Sequence, residues 1–121
     1  MRGILIVSHS AKLAEGLHDL LQEIVSQVPI HYVGGLETGE IGTTYDRIME
    51  AAEASPADEL YVFYDLGSAK MNLEMVQETL DKTLILSPAA MVEGAFVAAT
   101  LIRANADNKA IEKQLKPLGI K

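Results

Sequence analysis

Two short stretches carry the side chains that could do chemistry. In "GILIVSHS", Gly3–Ser10, the apolar run Ile4–Val7 leads straight into Ser8, His9 and Ser10. In "ELYVFYD", Glu59–Asp65, a second run of aromatic and β-branched residues ends on Asp65. A titratable ring at the end of a buried strand is a marker of a site, because enclosure and charged neighbours tune such groups there. The other histidines are controls. His18 sits with Glu15, Asp19 and Gln22 on the polar side of a helix and reads as solvated, and His31 lies in a short edge strand and reads as ordinary.

The accompanying residues narrow what His9 could do. No cluster of histidines or carboxylates at metal spacing stands with it, so a metal centre is not expected. Ser8, Ser10 and Asp65 supply the types for a serine hydrolase, yet chain neighbours rarely present that geometry, and the G-x-S-x-G turn is missing. The nucleotide loops G-x-x-x-x-G-K-[ST] and G-x-G-x-x-G are missing too. What is left is the imidazole as nucleophile. An unperturbed imidazole, with pKa near ~6.5, offers a free nitrogen at neutral pH and can accept a phosphoryl group. A carboxylate on its other nitrogen would fix the tautomer and support the charge that develops; Asp65 is the candidate. Phosphoryl transfer depends chiefly on positioning and charge stabilisation. Hydroxyls and N–H groups at helix starts serve that purpose, and Ser10, Thr43 and Ser68 each stand at a strand-to-helix turn. Helix capping is the ordinary role of such residues.

The elements that must hold these groups follow from apolar spacing. Residues 3–8 read as a buried strand. From Lys12 to Val28, Leu13, Leu17, Leu20, Leu21, Ile24 and Val28 recur at helical intervals, and Pro29 ends the run. "IHYVGG" is a second strand, followed by the polar loop "LETGEIGTT". Thr43 with Asp46 three residues on resembles a capping box, which predicts a helix from there to about Ala54. Glu59–Asp65 is the third strand, a helix carrying Leu73, Val76 and Leu80 follows, and "TLILS" is the fourth. Pro88 closes it before an alanine-rich helix over 89–104 and a short charged helix over 108–116.

Four alternations of strand and helix predict an α/β fold, a small doubly wound, mainly parallel sheet of order 2-1-3-4 with helices on both faces. Ligands in such sheets collect at the carboxyl ends of the strands where the winding reverses. That point lies between strands 1 and 3, so His9 and Asp65 are expected to face each other across it.

Composition limits the alternatives. The chain of 121 residues is one domain by size, able to bury about two-thirds of its unfolded surface without staples. Cysteine is absent, which removes disulfides, thiol nucleophiles and cysteine metal sites. Seventeen acidic residues against ten scattered basic ones give a net charge of −7, so no nucleic-acid partner is expected. No basic leader precedes a cleavage site, and the longest apolar run, about 84–104, is broken by Ser87, Pro88, Glu93 and Gly94. Neither secretion nor membrane insertion is expected, and a cytoplasmic location is.

Four blocks, "IVSHS", "GGLETGEIGTT", "DLGSAKMN" and "PAAMVEGA", together resemble the phosphotransferase subunit of phosphoenolpyruvate-dependent dihydroxyacetone kinase. That family belongs with the mannose-type sugar phosphotransferase IIA domains. The "SHS" and "DLGSAKMN" blocks favour the dihydroxyacetone branch over the sugar-transport branch, which resembles "THG" and "GGSP" there. The resemblance implies that His9 is phosphorylated, that Asp65 is its hydrogen-bonding partner, and that the Gly42–Thr43 and Gly67–Ser68 turns line the phosphate site. It implies a relay: phosphocarrier protein HPr charges His9, which passes the phosphoryl group to ADP, held with magnesium on a separate nucleotide-binding subunit. The domain itself needs no cofactor or metal. Alternatives are a sugar-system IIA domain, a phosphohistidine regulatory binding module, and a small-molecule domain with an inert His9. Glu93 matches the "VEGA" block without a derivable role, and the apolar helix 89–104 predicts a homodimer.

Overall fold

The computed structural model describes residues 1–121. Its centre is a four-stranded parallel sheet of order β2-β1-β3-β4, with β1 at Arg2–Ser8, β2 at Ile30–Gly34, β3 at Glu59–Tyr64 and β4 at Thr83–Leu86. The order predicted from sequence is the order found. β1 lies between β2 and β3, pairing Ile4 with Ile30 and with Tyr61, which is why Gly3–Ser8 is buried throughout. A parallel strand covered on both faces reads as one continuous apolar run.

Side chains alternate across the sheet. Ile4, Ile6, Tyr61 and Phe63 join one core with α1 (Ala11–Ile24), α4 (Met91–Arg103) and α5 (Asn108–Leu115). Leu5, Val7, Leu60, Val62 and Tyr64 join the other with α2 (Tyr45–Ala54) and α3 (Lys70–Thr79). The crossover from β1 to β2 thus runs over one face and that from β2 to β3 over the opposite face. The winding reverses between β1 and β3. At the amino end of the sheet, Asn108 accepts from Arg2 and from the Tyr61 hydroxyl and donates to Glu59, at 2.8–2.9 Å. Burial, with the Glu59 and Glu112 charges adding to it, pushes the Tyr61 phenol up to about 12.

Three sequence expectations are corrected. The first helix ends at Ile24 rather than Val28. Pro29 disfavours helical backbone at Val28, and the chain leaves the helix at Val25 so that Val25 and Val28 enter the core while Leu13, Leu20 and Ile24 stay exposed. The cap of α2 is Thr44, whose hydroxyl accepts the Arg47 N–H at 3.3 Å; three residues on stands an arginine, so no reciprocal box closes, and Thr43 is left for another partner. His18 is not simply solvated: its ring stacks obliquely on Tyr32, centroids 4.7 Å apart, and meets Asp19 at 3.1 Å.

His31 is at the sheet edge, with its Nδ1 buried and unpartnered. Burial, then the His18 and Lys82 charges, lowers its pKa.

Candidate active site

β1 and β3 deliver His9 and Asp65 to the same rim, where the winding reverses, and the two residues meet. Asp65 Oδ1 lies 2.8 Å from His9 Nδ1, and Asp65 Oδ2 accepts the His9 backbone N–H at 3.0 Å. Ser8, last residue of β1 and buried, donates its hydroxyl to Asp65 Oδ2 at 2.7 Å and accepts the Ser10 N–H at 3.0 Å. The Leu66 N–H completes the set on Oδ1 at 2.8 Å. Burial pushes the Asp65 carboxyl up, but the hydrogen bonds from the His9 ring, Ser8 and the His9 and Leu66 N–H groups outweigh it and hold the pKa below the usual value.

That carboxylate decides the tautomer of His9. A carboxylate only accepts, so Nδ1 carries the proton and, in the neutral ring, Nε2 carries the lone pair. Ser68 Oγ lies 2.8 Å from Nε2, placed to donate to it. Ring and carboxylate side chains are 16% and 13% exposed, whereas Ser68 is open to solvent. Nε2 therefore meets exposed Ser68 while Nδ1 is anchored to Asp65.

The two helix starts nearest the ring differ. Ser10 caps α1, its hydroxyl accepting the Leu13 N–H at 3.3 Å. The 3-10 turn η1 (Gly67–Ala69) and α3 behind it have no side-chain cap. A helix start attracts anions through the N–H groups that stay free; here the Ala69 and Lys70 N–H groups are taken by the Leu66 and Gly67 carbonyls, and Ser68 puts the start of η1 beside Nε2.

The loop after β2 is pulled in against His9. A Cβ on Gly34 would collide with the Ser10 carbonyl, so only glycine allows β2 to end this close to the start of α1. Gly42 has φ +150°, strained for other residues, and its N–H donates to the His9 carbonyl at 2.9 Å. That N–H is engaged with backbone, which leaves Thr43 as the polar side chain of the turn. Thr43 meets Asn72 of α3.

The structure thus brings His9, Asp65, Ser68 and the Gly42 backbone together, with Gly67 opening the turn that carries Ser68. Ser10 is adjacent but serves α1. Sequence reasoning misses Asn72 and Lys121, and takes Ser8 only as a residue type for a serine hydrolase rather than as a partner of Asp65. Ser8 had a signal, since a serine at the last buried position of a central strand needs a buried partner. Lys121 had none: Ile120 and Lys121 donate to the Pro88 carbonyl, and the Lys121 ammonium reaches the Ala89 carbonyl at 2.9 Å, 4.6 Å from the Tyr64 ring centroid. Burial lowers the Lys121 pKa, against the pull of the Asp65 charge. Glu93 is exposed in the first turn of α4.

No group of three or more His, Asp or Glu is arranged to hold a metal ion, and no helix is long and apolar enough to cross a membrane.

Known proteins give the geometry its context. The family model for EIIA-man, described as the PTS system fructose IIA component, matches residues 3–112. The chain is 47% identical over 116 residues to the phosphotransferase subunit DhaM of the PTS-dependent dihydroxyacetone kinase of Lactococcus lactis, covering 96% of this chain and 94% of that protein. It is 45% identical over 119 residues to the phosphoryl donor subunit DhaM of the PEP-dependent dihydroxyacetone kinase 1 of Listeria innocua, covering 98% and 96%. The solved structure of EF1359, a protein of unknown function, superposes with TM-score 0.84 at 30% identity, over 99% of this chain and 96% of that one. A sigma-54 interaction domain protein from Enterococcus faecalis superposes at 0.70 over 94% and 87%, but at 12% identity that likeness is one of fold alone.

Proposed function

The chain belongs to the EIIA-man family of phosphotransferase-system IIA components, and from that premise we propose that residues 1–121 form one phosphotransfer domain of a dihydroxyacetone kinase, with His9 Nε2 as the phosphoryl carrier. The observation that carries the assignment to His9 is the ring's double hold: Nδ1 against Asp65 and Nε2 against Ser68 at an open rim.

The chemistry balances on this chain's own groups. The Nε2 lone pair attacks the phosphorus of a donor phosphohistidine, on HPr in this reading. The new N–P bond forms as the donor's N–P bond breaks, and the donor ring, protonated on its other nitrogen, takes the electron pair and leaves as neutral imidazole. The His9 ring becomes formally cationic, its proton staying on Nδ1 and hydrogen-bonded to Asp65, whose negative charge offsets it. Ser68 turns from Nε2 to a phosphoryl oxygen, and the start of η1 that carries it has no side-chain cap to compete for that anion. In the second step an oxygen of the ADP β-phosphate attacks that phosphorus. The N–P bond returns its electrons to Nε2 and ATP forms on the nucleotide-binding subunit, where magnesium also resides.

Both protein partners must cover one rim, so their complexes exclude each other. Ile41, Leu66 and Met71 are 70%, 57% and 74% exposed on the segments that carry Gly42, Asp65 and Ser68, an apolar border suited to protein contact. A cytoplasmic place of action accompanies this reading, since HPr and the kinase subunits would have to reach the rim. A homodimer through α4 is part of it as well: Val92 and Phe96 stand exposed there, and a single monomeric species in sedimentation would remove that element.

The test is intact mass at alkaline pH after incubation with phosphoenolpyruvate, enzyme I and HPr, beside His9→Ala. One phosphate adduct in the wild type and none in the variant is expected. No adduct in the wild type, with the relay proteins shown active, would overturn the proposal. Adding the ADP-loaded subunit then separates a carrier, which loses its phosphate to form ATP, from a regulatory phosphohistidine module, which keeps it.

A further inference from the structure

We propose, on the footing that His9 Nε2 is the phosphoacceptor, that Asn72 is a positioning residue that holds the Gly42–Thr43 turn at the distance the phosphoryl group needs and aims the Thr43 hydroxyl into that gap.

Asn72 stands in the first turn of α3, half-buried, and its Nδ2 lies 3.2 Å from both the Thr43 carbonyl oxygen and Thr43 Oγ1. A backbone carbonyl can only accept, so the amide nitrogen, not the amide oxygen, must face the turn. With Oγ1 accepting the Asn72 N–H hydrogen bond, the Thr43 hydroxyl hydrogen is free to be donated elsewhere.

These contacts close a circuit around the ring. The His9 carbonyl takes the Gly42 N–H at 2.9 Å, the next residue is held by Asn72, and Asn72 follows Ser68 by four residues, one helical turn along. Ser68 Oγ returns to His9 Nε2 at 2.8 Å. The two loops that touch His9, at its carbonyl and at Nε2, are thereby joined through α3 as well as through His9. Neither helix start explains the contact: Thr44 already caps α2, and Asn72 turns toward the loop rather than back to its own uncapped helix.

The experiment is single-turnover transfer from phosphorylated HPr to the full chain, read as the rate at saturating donor and the half-saturating donor concentration separately. Asn72→Ala, the near-isosteric Asn72→Asp, Thr43→Val and the Asn72→Ala/Thr43→Val pair are compared. Asn72→Ala and Thr43→Val should each lower the saturated rate about tenfold, with half-saturation moved less than about twofold. The double variant should be no slower than the worse single variant, because both remove the same hydroxyl alignment. Asn72→Asp sets a carboxylate against the Thr43 carbonyl and should lose at least as much, which keeps the test open if the alanine variant misfolds. A saturated rate within twofold of wild type in a folded Asn72 variant, or losses that multiply in the double variant, would overturn the proposal. Failure of His9 itself is seen separately, as a wild type that takes up no phosphate.

Discussion

Asp65 grips His9 at two points: Oδ1 meets the ring at Nδ1, 2.8 Å away, and Oδ2 accepts the backbone N–H of the same residue at 3.0 Å. One carboxylate therefore sets both the proton position on the imidazole and the path of the chain as it leaves β1. Each of its oxygens also takes a second donor, Ser8 Oγ on Oδ2 and the Leu66 N–H on Oδ1.

That double hold makes Asp65→Asn an informative change. An amide has only one accepting atom, so whichever way it turns, its NH2 faces a backbone N–H, either of His9 or of Leu66. With the NH2 at the Oδ1 position it would also donate to Nδ1 and move the ring proton to Nε2, removing the nucleophilic lone pair. Phosphorylation of His9 should slow on the order of 10²-fold or more, as when other carboxylate–imidazole pairs lose their charge. Single-turnover kinetics with 15N NMR of the ring reads both effects; an unchanged rate would take Asp65 out of the mechanism.

Two serines that look alike in sequence should behave differently. Ser68→Ala removes the hydroxyl beside Nε2 and should lower the transfer rate about tenfold, with the melting temperature within about 2 °C, since Ser68 is exposed. Ser10→Ala removes the α1 cap and should cost about 1 kcal/mol of stability, with the smaller effect on rate. Thermal melts and transfer assays on both variants check the pair; the reverse pattern would exchange their roles.

Gly34→Ala should be destabilised by about 1–3 kcal/mol, because the new methyl would meet backbone that cannot swing away. Urea unfolding measures it. A wild-type midpoint would mean that β2 need not end so close to α1.

The acid limb of stability should report Asp65. Its carboxyl titrates below 3.8 in the folded chain, so the stabilisation it brings is complete above 3.8 and is lost as pH falls through the lower folded value. The stability gap between wild type and Asp65→Asn should narrow on acidification past that point. Urea midpoints from pH 7 downward test this; a gap that stayed constant would show that the hydrogen bonds to Asp65 do not favour its charged form.

Much of this was legible in the chain itself. The apolar run Ile4–Val7 had to be a strand covered on both faces, and the alternation of strand and helix led to the order 2-1-3-4. That order alone put His9 and Asp65 on opposite sides of the reversal point. Such inferences succeed because burial is periodic along each element, and periodicity is written in consecutive residues.

The rim was decided elsewhere. Thr43 and Thr44 are adjacent and chemically identical, yet Thr44 caps α2 while Thr43 is taken by Asn72, 29 residues away. Ser10 and Ser68 both open helices, but only Ser68 reaches Nε2. Ser8 and the choice of ring nitrogen depend on the direction of one carboxylate across the β1–β3 gap. Which polar side chains meet at a rim is set by how closely loops pass one another, as where Gly34 lets β2 end against Ser10. Those approaches exist only once the sheet and both helical layers have packed, so the sequence determined which two residues would face each other, and the tertiary structure decided which atoms they present.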